Sequence, residues 1–184
     1  MAAPIGFVIL AVLWLIWFAP FLIRRRGGGE KPTVKARSAR WGILLQGVAF
    51  AIVSFHYPFW PLPELPKILG MIVLGLLAAA LSWSAVSALG KQWRIDAALS
   101  SDHALIQSGP YAVVRHPIYA SMLAMLLATG LMLSMWVLLF IAVLVFLIGT
   151  EIRVRTEEKL LSARFGPEFE NYRRRVPAYI PGLR

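Results

Sequence analysis

The 184-residue sequence contains no cysteine, which excludes disulfides, thiolate metal sites and a cysteine nucleophile. Charge is also scarce, at 15% of residues, and acidic groups are the rarer kind: nine Asp and Glu against 19 Lys and Arg. No H-E-x-x-H pair and no carboxylate cluster beside the three histidines provides a metal-ligand spacing. A nucleotide-binding G-x-G-x-x-G loop is missing too. Gly27-Gly28-Gly29 follows no strand and sits among arginines, where it reads as a flexible linker. What the chain has in quantity is apolar surface: 59% of its residues are hydrophobic and its mean hydropathy is +0.69. That is too apolar for a soluble domain of this size and points to a polytopic membrane protein.

A bilayer core of about 30 Å needs roughly 20 apolar residues per helix. Four blocks meet or exceed this: Pro4 to Ile23, Trp41 to Trp60, Lys67 to Gly90, and Pro117 to Thr150. The first stops at Arg24-Arg25-Arg26 and lacks a signal peptide's basic start and small-residue exit, so it reads as a retained helix. In the third, Gly70, Gly75, Ala78, Ala79 and Ala80 allow close helix packing. The last block, as one helix, would be a rod of about 51 Å. It is expected to fold back near Gly130 and Ser134. The fold class expected is an all-α integral membrane protein with five transmembrane helices, the last two a tight hairpin.

The positive charges fall between the blocks and read as topology signals, not as a nucleic-acid surface. Seven Lys and Arg lie in Arg24–Arg40, one in Glu64–Lys67, three in Lys91–Arg115 and eight in Arg153–Arg184. This bias places the N-terminus outside and the C-terminus inside, which five spans allow and four do not. Residues 1–90 then hold three spans and a basic cytoplasmic linker at 24–40. Residues 91–184 hold the hairpin at 117–150 and a cytoplasmic tail. In that tail a helix continues from the last span to a glycine cap at Gly166, and a second short helix follows from Pro167 to Tyr172. Arg173-Arg174-Arg175 comes next, at the lipid surface.

Chemistry concentrates in two cytoplasmic stretches. The first runs from His103 to Tyr119, where Arg115 and His116 precede Pro117 at the expected start of a helix, a position suited to an anion. An interfacial anchor with an aromatic belt would look the same. The second holds Arg153 and Glu157, four residues apart on one helix face beside Glu158. Such a pair serves equally as an ordinary surface ion pair or as a joint ligand contact. His56, the one ionisable group within the spans, reads as interfacial. With no acidic residue inside the spans, a transporter or ion relay has little to work with.

Taken together, Gly109-Pro110-Tyr111, Arg115-His116-Pro117-Ile118-Tyr119, a double apolar helix, Arg153 with Glu157-Glu158, Phe165-Gly166 and Tyr172 to Pro177 keep one order and spacing. Over residues 90 to 180 this pattern resembles the isoprenylcysteine carboxyl methyltransferase family and the related phospholipid N-methyltransferases. The resemblance implies a membrane enzyme that uses S-adenosyl-L-methionine to methylate a lipophilic acceptor arriving from the bilayer, with a cytoplasmic cofactor pocket formed by the 91–116 loop and the C-terminal helices. It implies that His103, Ala104, Leu105 and Ile106 run along the adenosine, and that Tyr111, His116, Pro117, Ile118, Tyr119 and Glu157 complete the pocket. Arg153 then faces the acceptor, and His116 is a candidate base for an amine or thiol. Membrane lipid is the expected surrounding, with no metal and no nucleic acid as partners. Asp96 stands where the family often has Gln, so that contact is not carried over. The alternatives are an NADPH-dependent membrane sterol-type reductase, whose pattern is Arg-His-x-Asn-Tyr in place of Arg115-His116-Pro117-Ile118-Tyr119, and a non-enzymatic scaffold or transporter.

Overall fold

The computed structural model describes residues 2–23, 34–35, 39–54, 64–90, 98–99, 104–180 and 182. Six helices dominate: α1 (Ala2–Ile23), α2 (Ala39–Ser54), α3 (Leu65–Leu89), α4 (Pro117–Leu133), α5 (Trp136–Phe165) and α6 (Pro167–Arg175), with a 3₁₀ turn at Gly109–Ala112. The architecture is all-α, as expected, with one small addition: β1 (Val34–Lys35) and β2 (Ala98–Leu99) form a two-residue antiparallel ladder. α1, α3 and α5 are long and apolar enough to cross a membrane, while α2 and α4 are shorter apolar helices.

The hairpin forms where helix length requires it, but its turn is at Ser134-Met135. Gly130 is not part of the turn: it lies inside α4, where an added Cβ would be 2.3 Å from Leu139 Cδ1 of α5. Its role is close approach between the two limbs. α5 then runs unbroken for 30 residues, from the apolar segment through Thr150 into the polar tail. Gly166 ends it at φ 51°, a left-handed conformation that a side chain would strain, and α6 starts at once with Pro167. α6 extends to Arg175, so the three arginines expected beyond it form its last turn.

α4 is the hub. One side joins α1 and α3 in a core that includes Leu10, Leu13, Trp17, Met71, Ala78, Ala124 and Met125. The other joins α2 and α5 around Ala49, Val53, Leu126, Ala142 and Phe146. Buried polar groups on this hub are satisfied across helices: Trp14 Nε1 donates to Thr129 Oγ1 (3.1 Å) and Trp17 Nε1 to Ser121 Oγ (3.3 Å). In α3, Gly75, Ala78 and Ala79 pack inward as expected, whereas Ala80 faces out. Exposed apolar side chains such as Leu15, Val73, Phe140 and Ile148 cover the outside, as a lipid-facing surface would. The segments holding Gly27-Gly28-Gly29, His56, Asp96 and His103 lie outside the described residues.

Candidate active site at the polar end of α4 and α5

The site forms where α4 begins and the apolar part of α5 ends. Proline at the first position of α4 presets its backbone, and His116 caps it, its carbonyl accepting from Tyr119 N (3.0 Å) and Ala120 N (3.2 Å). The C-terminal tail runs alongside: Arg115 N donates to Pro177 O (2.9 Å) and His116 N to Ala178 O (2.7 Å). The histidine backbone is therefore held from both sides, and its ring is aimed at α5.

Each ring nitrogen meets a carboxylate. Nδ1 lies 3.5 Å from Glu157 and Nε2 3.3 Å from Glu158. A neutral imidazole has one N–H and can donate to only one of them, so this geometry suits the imidazolium. Burial of His116 pushes its pKa down, but the hydrogen bonds and charges of Glu157 and Glu158 outweigh that and raise it above its usual value. The ring also stacks on Tyr119, with centroids 5.6 Å apart and planes 20° apart.

Tyr119 links the histidine to the arginine. Its hydroxyl donates to Glu157, and the Arg153 guanidinium lies over its ring at 5.0 Å from the centroid. Arg153 approaches Glu157 at 3.6 Å across one helical turn and reaches Gln46 Oε1 of α2 at 3.4 Å. Both His116 and Arg153 are 8% exposed, whereas the Glu157 side chain keeps 24%. The carboxylate at the centre is thus the more exposed of the two. Glu158 faces the other way: Arg115 grips it through Nε (2.8 Å) and Nη2 (2.7 Å) while donating from Nη1 to the carbonyls of Arg173 and Val176. Two stripes of α5 are therefore in use, separated by about 100° as successive residues are, and His116 joins them.

Of the expected site residues, the structure brings His116, Tyr119, Arg153 and Glu157 together. Pro117 is buried at the helix start and Ile118 is half-buried beside it. Tyr111 is buried, and its carbonyl accepts from Tyr172 Oη at 2.6 Å. Burial first, then the nearby charge of Glu157, raises its phenol pKa well above the usual range, so it stays neutral. Ala104 is exposed, and Leu105 and Ile106 are half-buried in the stretch leading to Gln107, which bonds to Glu168 and Arg175 of α6. A cavity of about 560 Å³ opens on the Glu158 side, lined by Glu151, Arg155 and Tyr179 among others, and touches none of the expected cofactor residues. The chemically dense cluster and the open space are thus on adjacent faces of α5. Among the described residues, no group of three or more His, Cys, Asp or Glu side chains could hold a metal ion.

Sequence reasoning missed Gln46. The available signal was a lone uncharged polar side chain midway along an apolar helix, which is 2% exposed. Nor did it foresee the holding role of Arg115 on Glu158, because 43 residues separate them.

Residues 70–163 match the model of the isoprenylcysteine carboxyl methyltransferase (ICMT) family. The cobalt-zinc-cadmium resistance protein CzcN of Cupriavidus metallidurans is 30% identical over 146 residues, 78% of this chain and 62% of that protein. The protein-S-isoprenylcysteine O-methyltransferase of Schizosaccharomyces pombe is 38% identical over 82 residues, 45% of this chain and 35% of its own. That of Mus musculus is 31% identical over 134 residues, 68% of this chain and 46% of its own. The chain spans less than two thirds of the length of each. The matched segment contains His116, Tyr119, Arg153, Glu157 and Glu158, and by that match, over half its length, the chain belongs to the isoprenylcysteine carboxyl methyltransferase family.

Proposed function

We propose that this chain is a membrane-embedded methyltransferase that uses S-adenosyl-L-methionine and methylates a lipophilic acceptor entering from the bilayer. The observation that carries the reading is the His116–Tyr119–Glu157–Arg153 cluster, lying within the segment matched to the family. The donor set fits such a cofactor, which presents a sulfonium, an amino group, a carboxylate and an adenine. Glu157 offers a partly open carboxylate to a cation, and the neutral ring of Tyr111 offers an aromatic wall. When bound, the cofactor supplies an electrophilic methyl group.

The chain's own residues hold and exclude. Arg115 and His116 secure Glu158 and Glu157, so that the open carboxylate keeps one orientation. Arg153, braced over Tyr119, orients an anionic acceptor from the α2 side. The apolar core below excludes water and holds the partners in line, which is the main acceleration a methyl transfer needs. Because both ring nitrogens of His116 face carboxylates, its role here is to hold, not to take a proton. A carboxylate acceptor needs no base and fits this arrangement better than an amine or thiol. The distribution of Lys and Arg supports a site that faces the cytoplasm, with the N-terminus outside.

Calorimetry on the detergent-purified protein tests the cofactor. S-adenosyl-L-methionine is expected to bind with a Kd on the order of micromolar, about 8 kcal/mol, and NADPH not at all. Saturable NADPH binding without binding of the methyl donor would replace this reading with the reductase. Labelled methyl should then appear in N-acetyl-S-farnesyl-cysteine when that acceptor is supplied.

A further inference from the structure

Gln46 lies outside the family-matched segment, on a helix that carries none of the site's motif residues. It is nonetheless buried at 2% exposure against the acceptor-side face of α5. Its amide is used at both ends: Oε1 accepts from Arg153 Nη1 (3.4 Å), and Nε2 donates to Thr150 Oγ1 (2.9 Å). The guanidinium fixes which end of the amide points at it, because a flipped amide would set an N–H against an N–H, whereas the Thr150 hydroxyl can meet either end. Two glycines make this reach possible. A Cβ on Gly42 would be 2.4 Å from Arg153 Cγ and 2.5 Å from Gly149 O, and one on Gly149 would be 2.8 Å from Gly42 O. α2 and α5 therefore cross backbone to backbone, and the stem of Arg153 lies in the groove that Gly42 leaves.

The residue type also has a consequence. A glutamate at position 46 would give Arg153 a second counter-charge beside Glu157, and an apolar residue would remove this acceptor. A neutral amide aims the group without adding to the counter-charge that Glu157 already supplies.

We infer that Gln46 is a positioning residue that holds the Arg153 guanidinium over Tyr119 in the orientation used for the acceptor. The inference rests on the acceptor role proposed above for Arg153. The bland alternative is that Gln46 only fastens α2 to α5, as polar residues in membrane helices commonly do.

A double-mutant cycle in the full-length protein separates the two. Gln46→Met conserves volume and suits an apolar helix while removing the amide, so the fold should survive. With labelled S-adenosyl-L-methionine and N-acetyl-S-farnesyl-cysteine, Gln46→Met is expected to lower kcat/KM for the acceptor roughly tenfold, the loss of one charge-assisted hydrogen bond. Affinity for the methyl donor should stay within about twofold. Thr150→Val should lose less, in the same direction. In an Arg153→Ala background Gln46→Met should cost nothing more, because the group it aims is gone. Full additivity of the two losses, or a Gln46→Met variant with wild-type turnover, overturns the inference. A readout independent of turnover is NMR of ¹⁵N-arginine-labelled protein: the Arg153 guanidinium signal, identified by its loss in Arg153→Ala, should show slowed rotation that Gln46→Met releases. If wild type methylates nothing but this release is seen, the methyltransferase reading fails while the positioning of Arg153 stands. An unchanged guanidinium signal in Gln46→Met overturns the positioning itself.

Discussion

At the scale of single residues, His116 is the most informative, because two carboxylates bind one small ring. Its pKa is raised in the folded protein, so the native state binds a proton that the unfolded chain holds less tightly. The stabilisation is therefore complete below the unfolded value near 6.5 and is lost as pH rises through the folded value, about 1.4 kcal/mol for each tenfold difference in proton affinity between the two states. The groups facing the ring are Glu157 and Glu158, with Tyr119 stacked on it. Thermal unfolding in detergent between pH 6 and 9 should show wild type losing stability more steeply than His116→Gln, with the tyrosine titrations common to both. Parallel curves would mean that the ring is neutral in the fold. The location of His116 at a helix start was legible from Pro117 alone. Its double engagement was not, because Glu157 and Glu158 are more than 40 residues away.

At the scale of elements, the close crossing of α2 and α5 decides whether Arg153 reaches its neighbours. Gly149→Ala sets a Cβ against the backbone of α2, which cannot rotate away as a side-chain end can, so an overpacking cost of about 1–3 kcal/mol is expected. Gly47, on the same helix as Gly42, has nothing within 4 Å of an added Cβ, and Gly47→Ala should be neutral or slightly stabilising. Melting temperatures of the two variants in one detergent make the comparison, and equal shifts would show that crossing distance is not limiting. Helix limits were largely readable: α3 and the α5–α6 boundary at Gly166 fall within two residues of expectation. Of the two residues expected near the turn, Ser134 is in it and Gly130 is not, because a small residue marks close packing as often as it marks a bend, and composition alone does not tell these apart.

At the scale of the whole molecule, Arg115 ties three separate pieces: the approach to α4, the polar end of α5 through Glu158, and the last carbonyls of α6. Glu158 and Arg115 are 11% and 8% exposed, so removing the arginine leaves a nearly buried carboxylate with one fewer counter-charge. Arg115→Ala should cost about 3 kcal/mol, the lower end for breaking a buried pair. The tail at 167–180 should loosen with it, which limited trypsin digestion at Arg173, Arg174 and Arg175 would reveal as faster cleavage than in wild type. Equal cleavage rates would mean that the Pro177 and Ala178 backbone bonds hold the tail unaided.

The sequence by itself determined much of what depends on neighbours within a few turns. This covers the apolar blocks, the need for a 34-residue stretch to fold back, the caps at His116 and Gly166, and the spacing of Arg153 and Glu157 on one face. Only the tertiary structure decided that α4 is the hub, that α2 lies on α5, and that Gln46 meets Arg153 across 107 residues of chain. The reason is physical. A helix that is apolar around its whole circumference has no polar face to say which side packs on protein and which on lipid. Between such helices the choice rests on shape, on where two glycines permit contact and where a buried amide finds its partner, and that complementarity exists only once the helices are together.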